Sequence, residues 1–118
     1  MTMERVGSAQ VGEERSSAVC PHFHRAIELI GKRWTGAIVF ALTEGEKRYA
    51  ELGKAIPGLS DRLLSQRLRE LEEEGLVERQ VEAATPVRVT YSLTVVGREL
   101  DPALRELKAW AQRWQRVI

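Results

Sequence analysis

The sequence predicts an α+β fold, mostly α: a winged helix-turn-helix with an added N-terminal helix and a C-terminal segment of dimerisation helices. Three observations predict it. Residues 58–93 read as a capped amphipathic helix, a glycine stop and two short β runs around a turn. Upstream of them, short apolar-striped segments are punctuated by glycine. Downstream, residues 94–118 repeat leucine and tryptophan at spacings of three and four. The boundaries expected are a tail over 1–19, the winged helix-turn-helix over 20–93 and the dimerisation helices over 94–118.

In chain order, the tail is rich in Glu, Ser, Gly and Arg without periodicity, which is the composition of a disordered segment. The first helix should run from Pro21, suited to a first helical turn, to Ile30, with Phe23, Ala26, Ile27 and Ile30 as its stripe and Gly31 as its stop. A second should start near Thr35, turn Ala37, Ile38, Ala41 and Leu42 inward and stop by Gly45. A third should span about Arg48–Ile56 with Tyr49, Leu52 and Ile56 inward. Pro57-Gly58 then turns the chain into a helix capped by Ser60, whose hydroxyl can accept from the free N–H groups of the first turn. Leu64, Leu68 and Leu71, with Leu63 beside them, are its apolar face, and Gly75 is its left-handed stop. Leu76, Val77 and Val81 suit a strand, Ala83–Pro86 a turn, and Val87, Val89, Tyr91 and Leu93 alternate with Arg88, Thr90 and Ser92 as a half-buried strand. Asp101-Pro102 reads as an N-cap and first helical residue inside the last segment. There Leu100, Leu104, Leu107, Ala111, Trp114 and Ile118 form a coiled-coil-like seam, with Ala103, Trp110 and Val117 as a second column. Two apolar columns suggest a helix covered on more than one side. Leu104, Leu107, Trp110 and Trp114 are therefore the expected dimer interface; a helix docked only on its own domain is the alternative.

The face of the Ser60 helix opposite its leucines begins with Asp61, Arg62, Ser65, Gln66 and Arg69. Arg and Gln carry planar donor and acceptor groups that match guanine and adenine edges in the major groove. Arg79 and Arg88 on the hairpin are placed to meet the phosphate backbone beside it. An ordinary solvated helix face and solubilising hairpin charges are the competing explanations.

Composition narrows the function. A chain 43% apolar and 30% charged is globular rather than disordered. It has no apolar run of about 18 residues and no signal-peptide pattern. Its single cysteine cannot form an internal disulfide, so a reducing cytoplasm is expected. The net charge of +1 argues weakly for DNA, and residues 20–93 carry as many acidic as basic side chains. Within the Ser60 helix, however, Arg62, Arg67 and Arg69 precede Glu70, Glu72, Glu73 and Glu74, so any DNA affinity would come from a local patch.

In this order and spacing the chain resembles the HxlR-type family of winged helix-turn-helix regulators, relatives of the MarR-like fold. The matching residues are Cys20-Pro21, Ile27 through Trp34, Arg48 through Leu52, Ile56 through Ser60, Leu68–Leu71, Gly75-Leu76-Val77, Pro86, Tyr91 through Thr94, Gly97, Leu100, Pro102 and Trp110. The resemblance implies a cytoplasmic homodimer that binds double-stranded operator DNA as repressor or activator. Some members sense electrophiles or oxidants through a cysteine at the position of Cys20. The chain departs from the family at Lys32-Arg33-Trp34, where a second glycine is common. Members that switch through two different cysteines are no guide, because Cys20 stands alone.

Cys20 precedes a helix N-terminus, where free N–H groups favour the reactive thiolate; an inert packed cysteine is the alternative. Cys20, His22 and His24 lie two apart and so point to different sides of a helix, and no metal site or cofactor is expected. Trp34, Phe40, Trp110 and Trp114 are candidates to line a small-molecule effector pocket, with plain packing as the alternative. No phosphate-binding loop, dinucleotide fingerprint or nucleophile grouping is present, so an enzyme is not expected. The rival to a DNA-binding regulator is a winged-helix protein-interaction module without specific DNA binding.

Overall fold

The computed structural model describes residues 20–114. The tail over 1–19, and Val117 and Ile118 of the expected seam, lie outside the described residues. The chain falls into two compact units, one ending at Lys32 and the other beginning at Arg33. The first holds helix α1, Pro21–Ile30. Cys20 occupies its N-cap position with extended backbone, and the Cys20 carbonyl accepts from His24 N at 2.9 Å. Gly31 closes α1 by donating to the Ile27 carbonyl at 2.7 Å. The expected stripe of α1 is not buried: Phe23 and Ile27 are exposed.

The second unit contains α2 (Thr35–Leu42), a two-residue strand β1 (Lys47–Arg48), α3 (Tyr49–Ala55), α4 (Asp61–Glu73), β2 (Val77–Glu82), β3 (Arg88–Leu93), α5 (Val95–Glu99) and α6 (Asp101–Arg113). Its core is Ile38, Val39 and Leu42 from α2, Leu52 and Ile56 from the α3 region, Leu64, Leu68 and Leu71 from α4, Val77 and Leu93 from the hairpin, and Leu104 from α6. At such sites truncation of one leucine to alanine typically costs about 2–5 kcal/mol. In α2 the inward set differs from expectation, since Val39 is buried and Ala37 is exposed. The segment is apolar nearly all round, so periodicity alone could not select its face.

The sheet is three-stranded in the order β1-β3-β2, antiparallel throughout. β1 pairs Lys47 with Tyr91 and Arg48 with Thr90; two residues are too few to leave a periodic signal, and no strand was expected there. Gly75 ends α4 with a φ of 80°, the left-handed stop anticipated. Thr94 then ties the hairpin base to that stop. Its hydroxyl donates to the Gly75 carbonyl at 2.6 Å and accepts from Gly97 N at 3.1 Å, while its own N–H donates to the Leu76 carbonyl at 3.0 Å. Gly97 sits so close that a Cβ there would stand 2.2 Å from the Leu76 carbonyl oxygen. Asp101 does not act as the expected N-cap. It begins α6 itself, with Leu100 at the cap position, and its carboxylate lies 2.9 Å from Arg105 Nε.

Candidate nucleic-acid interface

α4 is the platform of the site. Ser60 caps it by accepting from Leu63 N at 3.2 Å, and the Leu64, Leu68, Leu71 row holds its inner side against the core. On the opposite side Arg62, Gln66 and Arg69 are exposed, at the three- and four-residue spacing that aligns side chains along one face. Gln66 Nε2 reaches Glu70 at 3.4 Å. Ser65 stands apart from this row. It is half-buried on the flank, 3.5 Å from the hydroxyl of Tyr49, which also donates to the Asp61 carbonyl. The other flank is pinned by Arg67, whose Nε donates to the Arg33 carbonyl at 2.9 Å and whose Nη1 pairs with Glu70 at 3.1 Å. α4 is thus fastened to the start of α3 on one side and to the approach to α2 on the other.

Glu51 secures α3 in turn. Its carboxylate accepts from Arg48 N at 2.7 Å, and that bond, helped by the charges of Arg48, Lys47 and Lys54, holds its pKa below the ordinary carboxylate value. Trp34, before α2, adopts a φ of 78°, uncommon for a side-chain-bearing residue. Its ring carries the Arg33 guanidinium 5.1 Å from its centroid and faces Gly58.

On the wing the two candidate arginines separate. Val77 pairs with Leu93, Arg79 with Tyr91 and Val81 with Val89, so Arg79 lies on the face that becomes core at the hairpin base. Arg88 pairs with Glu82 on the opposite face, and its Nε lies 3.8 Å from the Glu82 carboxylate. A cleft of about 540 Å³ beside it is lined by Glu46, Gln80, Val81, Glu82, Arg88 and Thr90. The alternation expected for β3 fades toward the tip, where Val81 and Val87 are exposed.

The expected seam on α6 also divides. Leu104 is buried in the chain's own core, while Leu107, Trp110 and Trp114 are exposed, with Ala103 in the same row. The four aromatic residues proposed for an effector pocket have different surroundings. Phe40 lies under Lys108 and Arg105, 5.2 and 5.8 Å from its centroid, and Trp34 lies against Gly58. A cavity of about 330 Å³ opens elsewhere, among Leu42, Thr43, Ser92, Leu93, Arg98 and Asp101. Cys20 is half-buried with a free thiol, and His24 Nε2 lies 3.5 Å from Glu28. Tyr49 was expected only as an inward packing residue and Arg67 only as part of the basic start of α4; their bonds to Asp61, Arg33 and Glu70 give them bracing roles instead, and Glu82 was not singled out at all. Only Glu82 had a readable signal, as the residue opposite Arg88 across the turn.

Residues 29–118 match the HxlR-like helix-turn-helix family. YvaP, an uncharacterised helix-turn-helix regulator of Bacillus subtilis strain 168, is 49% identical over 98 residues, spanning 83% of this chain and 91% of its own length. The reduced form of the transcriptional regulator YodB from B. subtilis superimposes with a TM-score of 0.74 at 45% identity, covering 80% of this chain and 92% of that one. The redox regulator HypR in its reduced form gives a TM-score of 0.76 at 35% identity, covering 80% and 94%.

Proposed function

The chain belongs to the HxlR-like helix-turn-helix family, a family of DNA-binding transcriptional regulators, and from that premise we propose that it is a cytoplasmic homodimer that reads operator DNA with α4. The observation that carries the reading is the exposed row Arg62, Gln66 and Arg69 on a helix fastened on both flanks. A fastened helix holds its side chains in one register, and base recognition in the major groove depends on that. Ser65 stands at the edge of this face, and Arg88 meets the phosphate backbone from the wing. Arg79, exposed on the other face of the hairpin, is the second candidate for a backbone contact.

Dimerisation follows from α6. Ala103, Leu107, Trp110 and Trp114 leave an apolar row uncovered in a single subunit, next to the side already packed through Leu104. A second copy covering that row sets two α4 helices on successive half-sites. The likeness to YodB and HypR supports an oxidant or electrophile as effector, acting at Cys20. With one cysteine, the available chemistry is alkylation, a mixed disulfide with a small thiol, or a bridge between the two Cys20 residues of a dimer. Stoichiometric modification of Cys20 by peroxide or an electrophile should change operator affinity, and Cys20→Ser should abolish that response. Modification without a change in binding would remove Cys20 from the switch.

The acidic lining beside Arg88 favours the second reading, a winged-helix module that binds protein instead of DNA. A gel shift with DNA upstream of the protein's own and neighbouring genes separates the two. Saturable binding well above that to random duplex supports the regulator; binding no better than to random DNA supports the module.

A further inference from the structure

Arg67 belongs to the basic start of α4 but not to its outward row. Its side chain is only 14% exposed, and its charge is matched inside the fold, where Nη1 donates to the Glu70 carboxylate at 3.1 Å. Its Nε donates to the Arg33 carbonyl at 2.9 Å. We infer that Arg67 is a positioning residue for operator readout: it fixes the rotation of α4 about its leucine row without touching DNA. The inference rests on the reading of α4 as the groove helix.

The two bonds have different effects. Glu70 lies three residues on in the same helix, so that pair orients and neutralises the guanidinium but ties α4 to nothing else. The Arg33 bond is the tie. The Arg33 carbonyl stands just before α2, whose hydrogen-bond ladder begins one residue later, where the Trp34 carbonyl accepts from Ile38 N at 3.0 Å. α2 leaves the Arg33 carbonyl over, and α4 supplies its donor. The same segment also meets the turn that leads into α4: Trp34 adopts a φ of 78°, and its ring lies against Gly58.

Leu64, Leu68 and Leu71 hold α4 along one line. A helix held along a line can still rock about it, and contacts on its flanks resist that motion. The tips of its outward side chains stand roughly 10 Å from the buried line. At that radius a rock of about 6° moves them by about 1 Å, enough to take a base hydrogen bond out of its range of about 2.7–3.2 Å. Arg67 is the flank contact that reaches the start of α2. A lysine there would keep the charge but not the planar fork that aims Nε at one acceptor and Nη1 at another.

The test uses the full chain. Wild-type protein first selects duplexes from a randomised pool. Wild type, Arg67→Lys and the double variant Arg67→Gln/Glu70→Gln are then titrated against the selected site and random duplex across a salt series, and melted in parallel. Arg67→Lys keeps the charge and loses the fork. The double variant removes the pair without changing the net charge, and it carries the comparison if Arg67→Lys does not fold. Each variant should bind the selected site about 5- to 100-fold more weakly, the range for one lost bidentate base contact. Affinity for random duplex, and its salt dependence, should stay those of wild type. Arg67→Lys equal to wild type on both duplexes overturns the proposal. A logarithmic salt dependence shallower by about 0.9 in the double variant also overturns it, because that marks a lost phosphate contact. So does an equal loss on both duplexes, or failure of both variants to fold, either of which marks a residue that only supports the fold. Failure of the underlying reading looks different: the wild type selects no sequence, or Arg62→Ala leaves affinity for the selected site intact.

Discussion

Arg62 and Glu51 show how differently two exposed charged residues can matter. Arg62 stands exposed in the outward row of α4. Arg62→Ala should melt like wild type yet relax sequence preference, costing about 1–3 kcal/mol on the operator if the contact is bidentate. Equal loss on operator and random duplex would move Arg62 from base reading to backbone contact. Glu51 acts on the fold instead. Its carboxylate holds the Arg48 N–H, and its folded pKa lies below its unfolded one. That stabilisation is complete above the ordinary carboxylate value and is lost as the pH falls through the lowered folded value. The melting-temperature gap between wild type and Glu51→Ala should therefore be full at neutral pH and close on acidification. A gap independent of pH would show that the charge plays no part.

The wing is where element and charge conflict. A cross-strand pair of opposite charges stabilises a hairpin by roughly 0.2–1 kcal/mol, and Glu82 forms such a pair with Arg88. The same pair opposes phosphate binding, because Arg88 must share its charge with a carboxylate. Glu82→Gln should bind all duplexes more tightly and make the logarithmic salt dependence steeper by about 0.9, the increment for one added phosphate contact. The gain should vanish in an Arg88→Gln background. If it persists there, Glu82 acts only through overall charge. Filter binding across a salt series on operator and random DNA reads both quantities.

For the whole molecule the informative element is α6, apolar on two sides of one helix. Leu104 is committed to its own subunit, whereas Leu107 is exposed in a single chain. Leu107→Glu should therefore leave the subunit folded and place a charge without a partner in the proposed dimer seam, a costly burial. The expected product is a folded monomer with operator affinity sharply reduced, because the half-sites lie about 34–36 Å apart and one subunit spans only one of them. Light scattering decides: a folded dimer would assign the interface to another surface.

What the sequence determined by itself was local in origin. Pro21 and Gly31 bound α1, Ser60 caps α4, Gly75 stops it, and Leu64, Leu68 and Leu71 mark its buried side, each through the chemistry of neighbouring residues. The outward row of Arg62, Gln66 and Arg69 followed from the same periodicity. One further feature was readable and passed over: Arg79 stands two residues from both Val77 and Val81, so it shares their side of the strand. The rest depended on the packed chain. Tyr49 meets Asp61 twelve residues away, and Arg67 meets the Arg33 carbonyl thirty-four residues away. Leu104 and Leu107 carry the same side chain on one helix, yet one is buried and the other exposed. In α2, apolar nearly all round, only the neighbouring elements chose Val39 over Ala37. Periodicity shows that a face is apolar; what covers that face is decided by which other elements the fold brings against it.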